Sequence, residues 1–288
     1  MTEPTNEGAR PASADRAPGG DPPGPQEGQA PIGAPLLELR NVDKNFGPVQ
    51  ALQGINLIIP EGQVTALAGD NGAGKSVLIK TVSGIWSPDG GAVFWQGQRV
   101  HIRTPKDAAA LGITTVYQDL ALCDNLDIVQ NMFLGHEDLH LGMLNEIEME
   151  LTARRTLESL AMTTARQIRQ PVASLSGGQR QSVAVAKAVM ANSKLVILDE
   201  PTAALGVTQT AMVLSLVKQL TSQGVTVLMI SHNLNDIFQV ADHLAIVHLG
   251  HLVASGPASN FNRQTAVDYM TTGRSNREAA GSPALAAS

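Results

Sequence analysis

An apolar run, Val64–Ala68, passes directly into Gly69-Asp-Asn-Gly-Ala-Gly-Lys-Ser76, and a helical pattern follows from Lys75 to about residue 83. No other stretch of this chain limits its fold so strongly. This is the strand-loop-helix order that a phosphate-binding loop requires. The glycines matter for chemistry as well as for shape. Without Cβ atoms at 69, 72 and 74, backbone N–H groups can close around an anion at a helix N-terminus, where the helix dipole adds partial positive charge. Lys75 has the reach to touch the outer phosphates of a nucleoside triphosphate, and the Ser76 hydroxyl suits Mg²⁺. The spacing G-x-x-x-x-G-K-S therefore predicts that Gly69, Asp70, Asn71, Gly72, Ala73, Gly74, Lys75, Ser76 and Val77 surround those phosphates. A flexible glycine turn is the plainer reading, and the flanking strand and helix weigh against it.

The rest of the chain fits a parallel α/β sheet. Apolar runs at 195–198, 225–231 and 244–248 alternate with helical patterns, which is how a parallel sheet covered on both faces reads. Earlier β-type runs at 36–42, 55–59 and 92–96 predict a β-rich N-terminal subdomain. The stretch from 124 to 170 is helical in pattern and shows no strand signal, so a helical subdomain is expected at about 124–190, inserted into the core. Residues 1–35 hold 8 of the 16 prolines and no aromatic residue, too little apolar surface to offset chain entropy, and read as a disordered tail. A second flexible tail is expected at 272–288, leaving 36–271 as the folded domain.

Charge and cysteine usage narrow the setting. With 20 Lys and Arg against 26 Asp and Glu, the net charge is −6, which argues against a broad basic face for nucleic acid. The single cysteine, Cys123, cannot pair within the chain and reads as a small packed side chain in a reducing compartment. The longest apolar runs fall far short of the ~20 residues that cross a bilayer, and no signal-peptide core precedes them. Any membrane role would have to be peripheral.

Two further strand ends carry chemistry. Residues 194–202 read Lys-Leu-Val-Ile-Leu-Asp-Glu-Pro-Thr, an apolar strand ending in Asp199 and Glu200, and ligands of open α/β sheets bind at the carboxyl ends of strands. Asp199 suits a Mg²⁺ contact, and Glu200 can polarise a water for attack on a γ-phosphate. A turn with solvated acids is the alternative. The strand at 225–230 ends in Ser231-His232, and a histidine there can contact both a γ-phosphate and the general base, although a lone histidine is usually structural. Finally, Ser176 and Gln179 in Leu-Ser-Gly-Gly-Gln have the spacing of a capping box. Two glycines in the first turn cost about 1 kcal/mol each in a helix, which makes sense if a phosphate approaches their N–H groups.

Taken in order, these motifs resemble the ATP-binding cassette (ABC) transporter ATPases over about residues 36–271. Gly69 to Ser76 is similar to their Walker A, residues 195–200 to their Walker B, Gln118 in Val-Tyr-Gln-Asp to their Q-loop, residues 175–179 to their signature motif, and His232 to their switch histidine. Phe46 in Lys-Asn-Phe-Gly is similar to the aromatic that stacks on adenine. The resemblance implies a P-loop ABC-type fold and ATP with Mg²⁺. It implies catalytic roles for Glu200, His232, Gln118 and Lys75, and metal contacts from Ser76, Gln118 and Asp199. It further implies a homodimer or paired cassette in which Ser176, Gly177, Gly178 and Gln179 face the other subunit's ATP. Family members of this size sit on the cytoplasmic face of the cell membrane, against permease subunits that contact the Q-loop and helical subdomain.

Within the family, Gly-Asp-Asn-Gly-Ala-Gly-Lys-Ser, Tyr-Gln-Asp-Leu-Ala-Leu and Asn131-Met-Phe-Leu-Gly135 look like monosaccharide importers of the ribose, xylose and fructose type, in a single-cassette branch. Such importers also work with an external sugar-binding protein. Two departures stand out. Val77 replaces a common second hydroxyl, and Gly206 ends the D-loop, Ala203-Ala-Leu-Gly206, where the family usually has aspartate. Gly206 either loosens coupling between two nucleotide sites or is kept for a positive φ. The competing functions are a soluble ABC ATPase acting on nucleic acid or ribosomes, and a regulatory subunit that binds nucleotide without hydrolysis.

Overall fold

The computed structural model describes residues 34–140, 142–160, 162 and 167–274. The expected tails lie outside these residues except at their inner ends, where Pro35 already belongs to the first strand and Thr272 to the last helix. In chain order, β1 (Pro35–Phe46) and β2 (Val49–Pro60) form a hairpin and lead to β3 (Val64–Ala68) and α1 (Lys75–Val82). Next come β4 (Gly90–Trp95), β5 (Gln98–Val100), α2 (Pro105–Ala110) and β6 (Ile113–Val116). The helical region holds α3 (Ile128–Phe133), a short hairpin of β7 (Leu139–His140) and β8 (Met143–Leu144), α4 (Glu146–Ser159) and α5 (Gly177–Met190). The chain finishes with β9 (Leu195–Asp199), α6 (Val207–Ser222), β10 (Thr226–Ile230), α7 (Leu234–Val240), β11 (His243–His248), β12 (His251–Pro257) and α8 (Arg263–Thr272).

Two larger sheets carry the domain. One is antiparallel, in the order β2-β1-β4-β5. The other has the order β12-β11-β3-β10-β9-β6, parallel throughout except for the edge strand β12. The core strands β3 and β10 are buried at every residue, and alternation sends their side chains to opposite faces. Val64, Ala66, Val227, Met229, Val196 and Leu198 join the cluster under the helices, with Val183 of α5 and Leu214 of α6. Leu67, Leu228, Ile230, Leu195 and Ile197 join the opposite cluster, with Leu78 and Ile79 of α1 and the apolar face of the antiparallel sheet.

Three details differ from the sequence reading. β1 and β2 run past 42 and start before 55, because a sheet with one solvated face accepts polar residues such as Lys44 and Gln50 on it. β6, with the sequence Ile-Thr-Thr-Val, is the edge of the parallel sheet, yet four residues with two threonines give no apolar run to detect. The helical region also contains the β7–β8 hairpin, whose strands of two residues are below any periodicity.

Candidate functional site

The carboxyl ends of three neighbouring strands, β3, β10 and β9, meet at one edge of the parallel sheet. From β3 the chain turns through the glycine loop into α1. Gly69 is fixed by crowding, since a Cβ there would run into the carbonyl oxygen of Val247. Gly74 caps α1 at φ 109°, with the Ala51 carbonyl oxygen 3.0 Å from where a Cβ would sit. Only glycine serves at both positions. The loop walls a cavity of about 440 Å³, within the range of small-molecule sites. Asp70, Asn71, Gly72, Gly74, Lys75, Ser76 and Val77 line it, together with Gln118, Asp199 and Glu200. Gly69 and Ala73 are buried behind this wall.

Lys75 is buried, and its Nζ donates to the carbonyls of Gly69 at 2.6 Å and Asp70 at 3.0 Å. Burial holds its ammonium below the ordinary lysine value, against the opposing pull of Glu200, Asp70 and Asp199. Burial likewise pushes the Asp199 carboxyl up, and the charge of Glu200 adds to it, while Lys75 and Lys80 oppose. Beside them, both carboxylate oxygens of Glu200 lie near Nδ1 of His232, at 3.0 and 2.9 Å. The contact joins a carboxylate, which accepts when ionised, to a ring nitrogen that donates when it carries the proton. Glu200 stands at φ 49°, a left-handed conformation that a non-glycine residue holds only when its surroundings impose it.

Ser76, Asp199 and Gln118 offer hard oxygen ligands on one wall, which fits Mg²⁺. Among the described residues no group of three His, Cys, Asp or Glu could hold a metal by itself, so a magnesium ion here would take its remaining ligands from phosphate and water.

Two sets of expected residues lie elsewhere. Phe46 is not on the cavity wall. It is 39% exposed and packs edge-on against Trp86, with ring centroids 4.7 Å apart, and its hairpin partner Val49 lines the cavity instead. Ser176 and Gln179 form the expected capping box at the start of α5. Gly177 borders a second cavity, of about 350 Å³, which it shares with Gln118, Glu200 and Leu205. The signature glycines also have a packing role. A Cβ on Gly177 would lie 2.9 Å from Leu205, and one on Gly178 3.1 Å from the Gln209 Cβ. α5 therefore lies tight against the start of α6 whatever else approaches its N-terminus.

The sequence reading missed Ala51, Leu249 and Gly250 on the main cavity wall. Gly250 N–H donates to Ala73, and its carbonyl accepts from Gln53, which ties the β11–β12 turn to the glycine loop. A glycine between two apolar runs marks a turn, but nothing local says where the tip of that turn docks.

A sequence family described as ABC transporter matches residues 52–203, more than half of the chain. The chain belongs to the ABC transporter family. Among its relatives, the xylose/arabinose import ATP-binding protein of Sulfolobus acidocaldarius is 43% identical, over 82% of this chain and 94% of the relative. The fructose import ATP-binding protein of Rhizobium meliloti is 42% identical with the same coverage. A ribose import ATP-binding protein of Escherichia coli O157:H7 is 36% identical over 82% of this chain but only 46% of its own length. An ATP-binding cassette of an ABC transporter solved in its ADP conformation superposes with a TM-score of 0.71 at 25% identity, covering 86% of this chain and 99% of that one. A dimeric cassette bound to ADP and phosphate gives 0.65 at 25% identity, covering 77% and 98%. This ABC chain thus has the family's ATP-binding fold, with a parallel sheet at its centre.

Proposed function

We propose that the chain is the ATP-hydrolysing subunit of a monosaccharide importer, acting as one of two cassettes beneath membrane permease subunits. The observation that carries the hydrolytic part is the Glu200–His232 pair, which places a carboxylate held by a histidine on the same cavity wall as Lys75 and Ser76. A nucleotide-binding subunit without turnover has no need of that pair.

The residues divide the work. The loop N–H groups from Asp70 to Val77 bind phosphate oxygens, and Lys75 exchanges neutral carbonyl acceptors for charged oxygens, a stronger bond. Ser76, Asp199 and Gln118 hold Mg²⁺, which supplies charge neutralisation for the phosphates when bound. Glu200 accepts a proton from the attacking water, and His232 orients the carboxylate and stands toward the γ-phosphate. Phe46, exposed beside the cavity mouth residue Val49, offers its ring to the adenine. Ser176, Gly177, Gly178 and Gln179 act on the nucleotide of the opposite cassette.

Support for a sugar comes from the relatives, which are named as xylose/arabinose, fructose and ribose import proteins. The near-complete coverage of two of them favours the single-cassette arrangement, completed as a homodimer or with a paired cassette. No described helix is long and apolar enough to cross a membrane. On this reading the chain lies on the cytoplasmic face against the permease, which meets the Q-loop and helical subdomain. A sugar-binding protein acts on the far side. Replacing Glu200→Gln tests the reading, because it keeps the shape of the side chain and removes the base. ATP affinity should stay within about twofold while phosphate release falls at least about a hundredfold, in line with removal of a general base. Release at the parent rate would refute it.

A further inference from the structure

We propose that Asp236 is a positioning residue for hydrolysis, acting through Thr202 to hold the turn that carries Glu200 against His232. The inference rests on the hydrolytic reading above and concerns what keeps that geometry in place. Glu200 follows β9 at φ 49°, and Ala204 follows at φ 60°. Two non-glycine residues in the left-handed region within five positions make a turn that relaxes unless it is held.

Its backbone bonds are few. Glu200 N–H donates to Ile230 at 3.0 Å, Ala203 N–H to Glu200 at 3.1 Å and Leu205 N–H to Thr202 at 3.3 Å. The side chain that anchors the turn from outside is Asp236, whose Oδ2 accepts from the Thr202 hydroxyl at 2.6 Å. Asp236 is 4% exposed and lies in the first turn of α7. A carboxylate buried to this degree is retained where it is bonded, and bonds to an ionised acceptor are roughly twice as strong as neutral ones.

The geometry fastens the same two segments twice. Glu200 and Thr202 lie on the turn after β9; His232 and Asp236 lie on the loop and helix after β10. The second segment is itself firm: Asn233 N–H donates to the Ser231 hydroxyl at 3.0 Å, Asn233 Oδ1 accepts from Asn235 N–H at 3.0 Å, and Asp236 N–H donates to Asn233 at 3.1 Å. With one fastening, the Glu200–His232 pair could pivot about its own hydrogen bond. With two, the orientation of the carboxylate is set before substrate arrives, which is where positioned groups gain their effect.

Phosphate release by the full chain tests this with Thr202→Val, close in volume but without the hydroxyl, and Thr202→Ser, which restores it. Thr202→Val should lower kcat at least about tenfold with the KM for ATP changed less than about twofold, the pattern of a lost transition-state arrangement. Thr202→Ser should return to within about threefold of the parent. Parent-level kcat in Thr202→Val, a rise in KM equal to the loss of kcat, or failure of Thr202→Ser to recover the rate overturns the proposal. The His232 ring resonances of folded Thr202→Val should shift from their parent positions, and unshifted resonances also overturn it. Glu200→Gln runs alongside: if it turns over normally, the hydrolytic reading itself falls, whereas an inactive Glu200→Gln beside a normal Thr202→Val defeats only the role of Asp236.

Discussion

Gly206→Asp separates two reasons for a glycine at the end of the D-loop, and the structure already discards one. Gly206 has φ −71° and ψ 163°, an ordinary extended conformation open to any residue, so a positive φ is not what keeps it. A Cβ added there meets nothing within 4 Å among the described residues. It is also the N-cap of α6, a 16-residue helix with no side-chain cap and no acid in its first turn. Thr104, Asp127, Asn145, Ser176, Asn233 and Asn262 all cap their helices through side chains. Aspartate at 206 should accept from the N–H of Thr208 or Gln209, worth a few tenths of a kcal/mol over glycine. Its charge at the helix N-terminus adds about 0.3–1 kcal/mol, and the reduced freedom of the unfolded chain about 0.4–1 kcal/mol. The sum is roughly 1–2 kcal/mol, or a melting temperature higher by about 2–8 °C at this chain length. Differential scanning calorimetry measures it, and a lower melting temperature would refute the reasoning. The functional half of the prediction is read on the assembled transporter. If the missing carboxylate is a missing contact between nucleotide sites, the Hill coefficient for ATP should rise; an unchanged coefficient with the higher melting temperature would confine the effect to the helix cap.

Two other substitutions test the core. The Thr65 hydroxyl is buried on β3 with no hydrogen-bond partner among the described residues, and an unsatisfied buried polar group costs about 1–3 kcal/mol, so Thr65→Val should raise the melting temperature by a few degrees; a fall on calorimetry would show that the hydroxyl is bonded. Burial holds the His243 imidazole below its ordinary value, with Asp242 opposing. The unfolded chain therefore takes up this proton first, and the stability His243 contributes is present above the ordinary histidine range and lost as pH falls from there toward its folded value. Urea unfolding at pH 7.5 and 5.5 should show a smaller loss of stability in His243→Gln than in the parent, and an equal loss would remove His243 as the cause.

The fold and most of the main cavity were legible because they depend on patterns that are local in sequence. Val64–Ala68 with its glycine loop, the apolar run to Asp199, and the run to Ile230 each state their own strand, its end and the chemistry at that end. What stayed hidden depends on docking. Ala51, Leu249 and Gly250 reach the cavity only because two hairpins meet at the glycine loop. Phe46 shows the converse: its sequence context was readable, but its packing against Trp86 depends on how the loop after α1 meets the hairpin. The signature glycines were legible as a departure from helix propensity, yet the steric half of their explanation sits on Leu205 and Gln209, residues that carry no signal of their own.

The relation among Lys75, Glu200 and His232 follows from strand order, which no single motif encodes. β10 pairs with β3 on one side and β9 on the other, in register from Val227 opposite Val64 and from Thr226 opposite Leu195. Neighbouring strands are about 4.8 Å apart, so the loop after β3 and the turn after β9 stand about two strand spacings apart, with the loop after β10 between them. That spacing is what lets His232 touch Glu200 while Glu200 remains on the wall that Lys75 lines. Exchanging β10 with β11 would leave every motif intact in sequence and put two strands, β3 and β11, between His232 and Glu200. The arrangement proposed for hydrolysis is thus a property of the sheet, and the buried alternation that fixes its register, Val227 and Met229 to one face and Leu228 and Ile230 to the other, is as necessary to it as the charged residues at its edge.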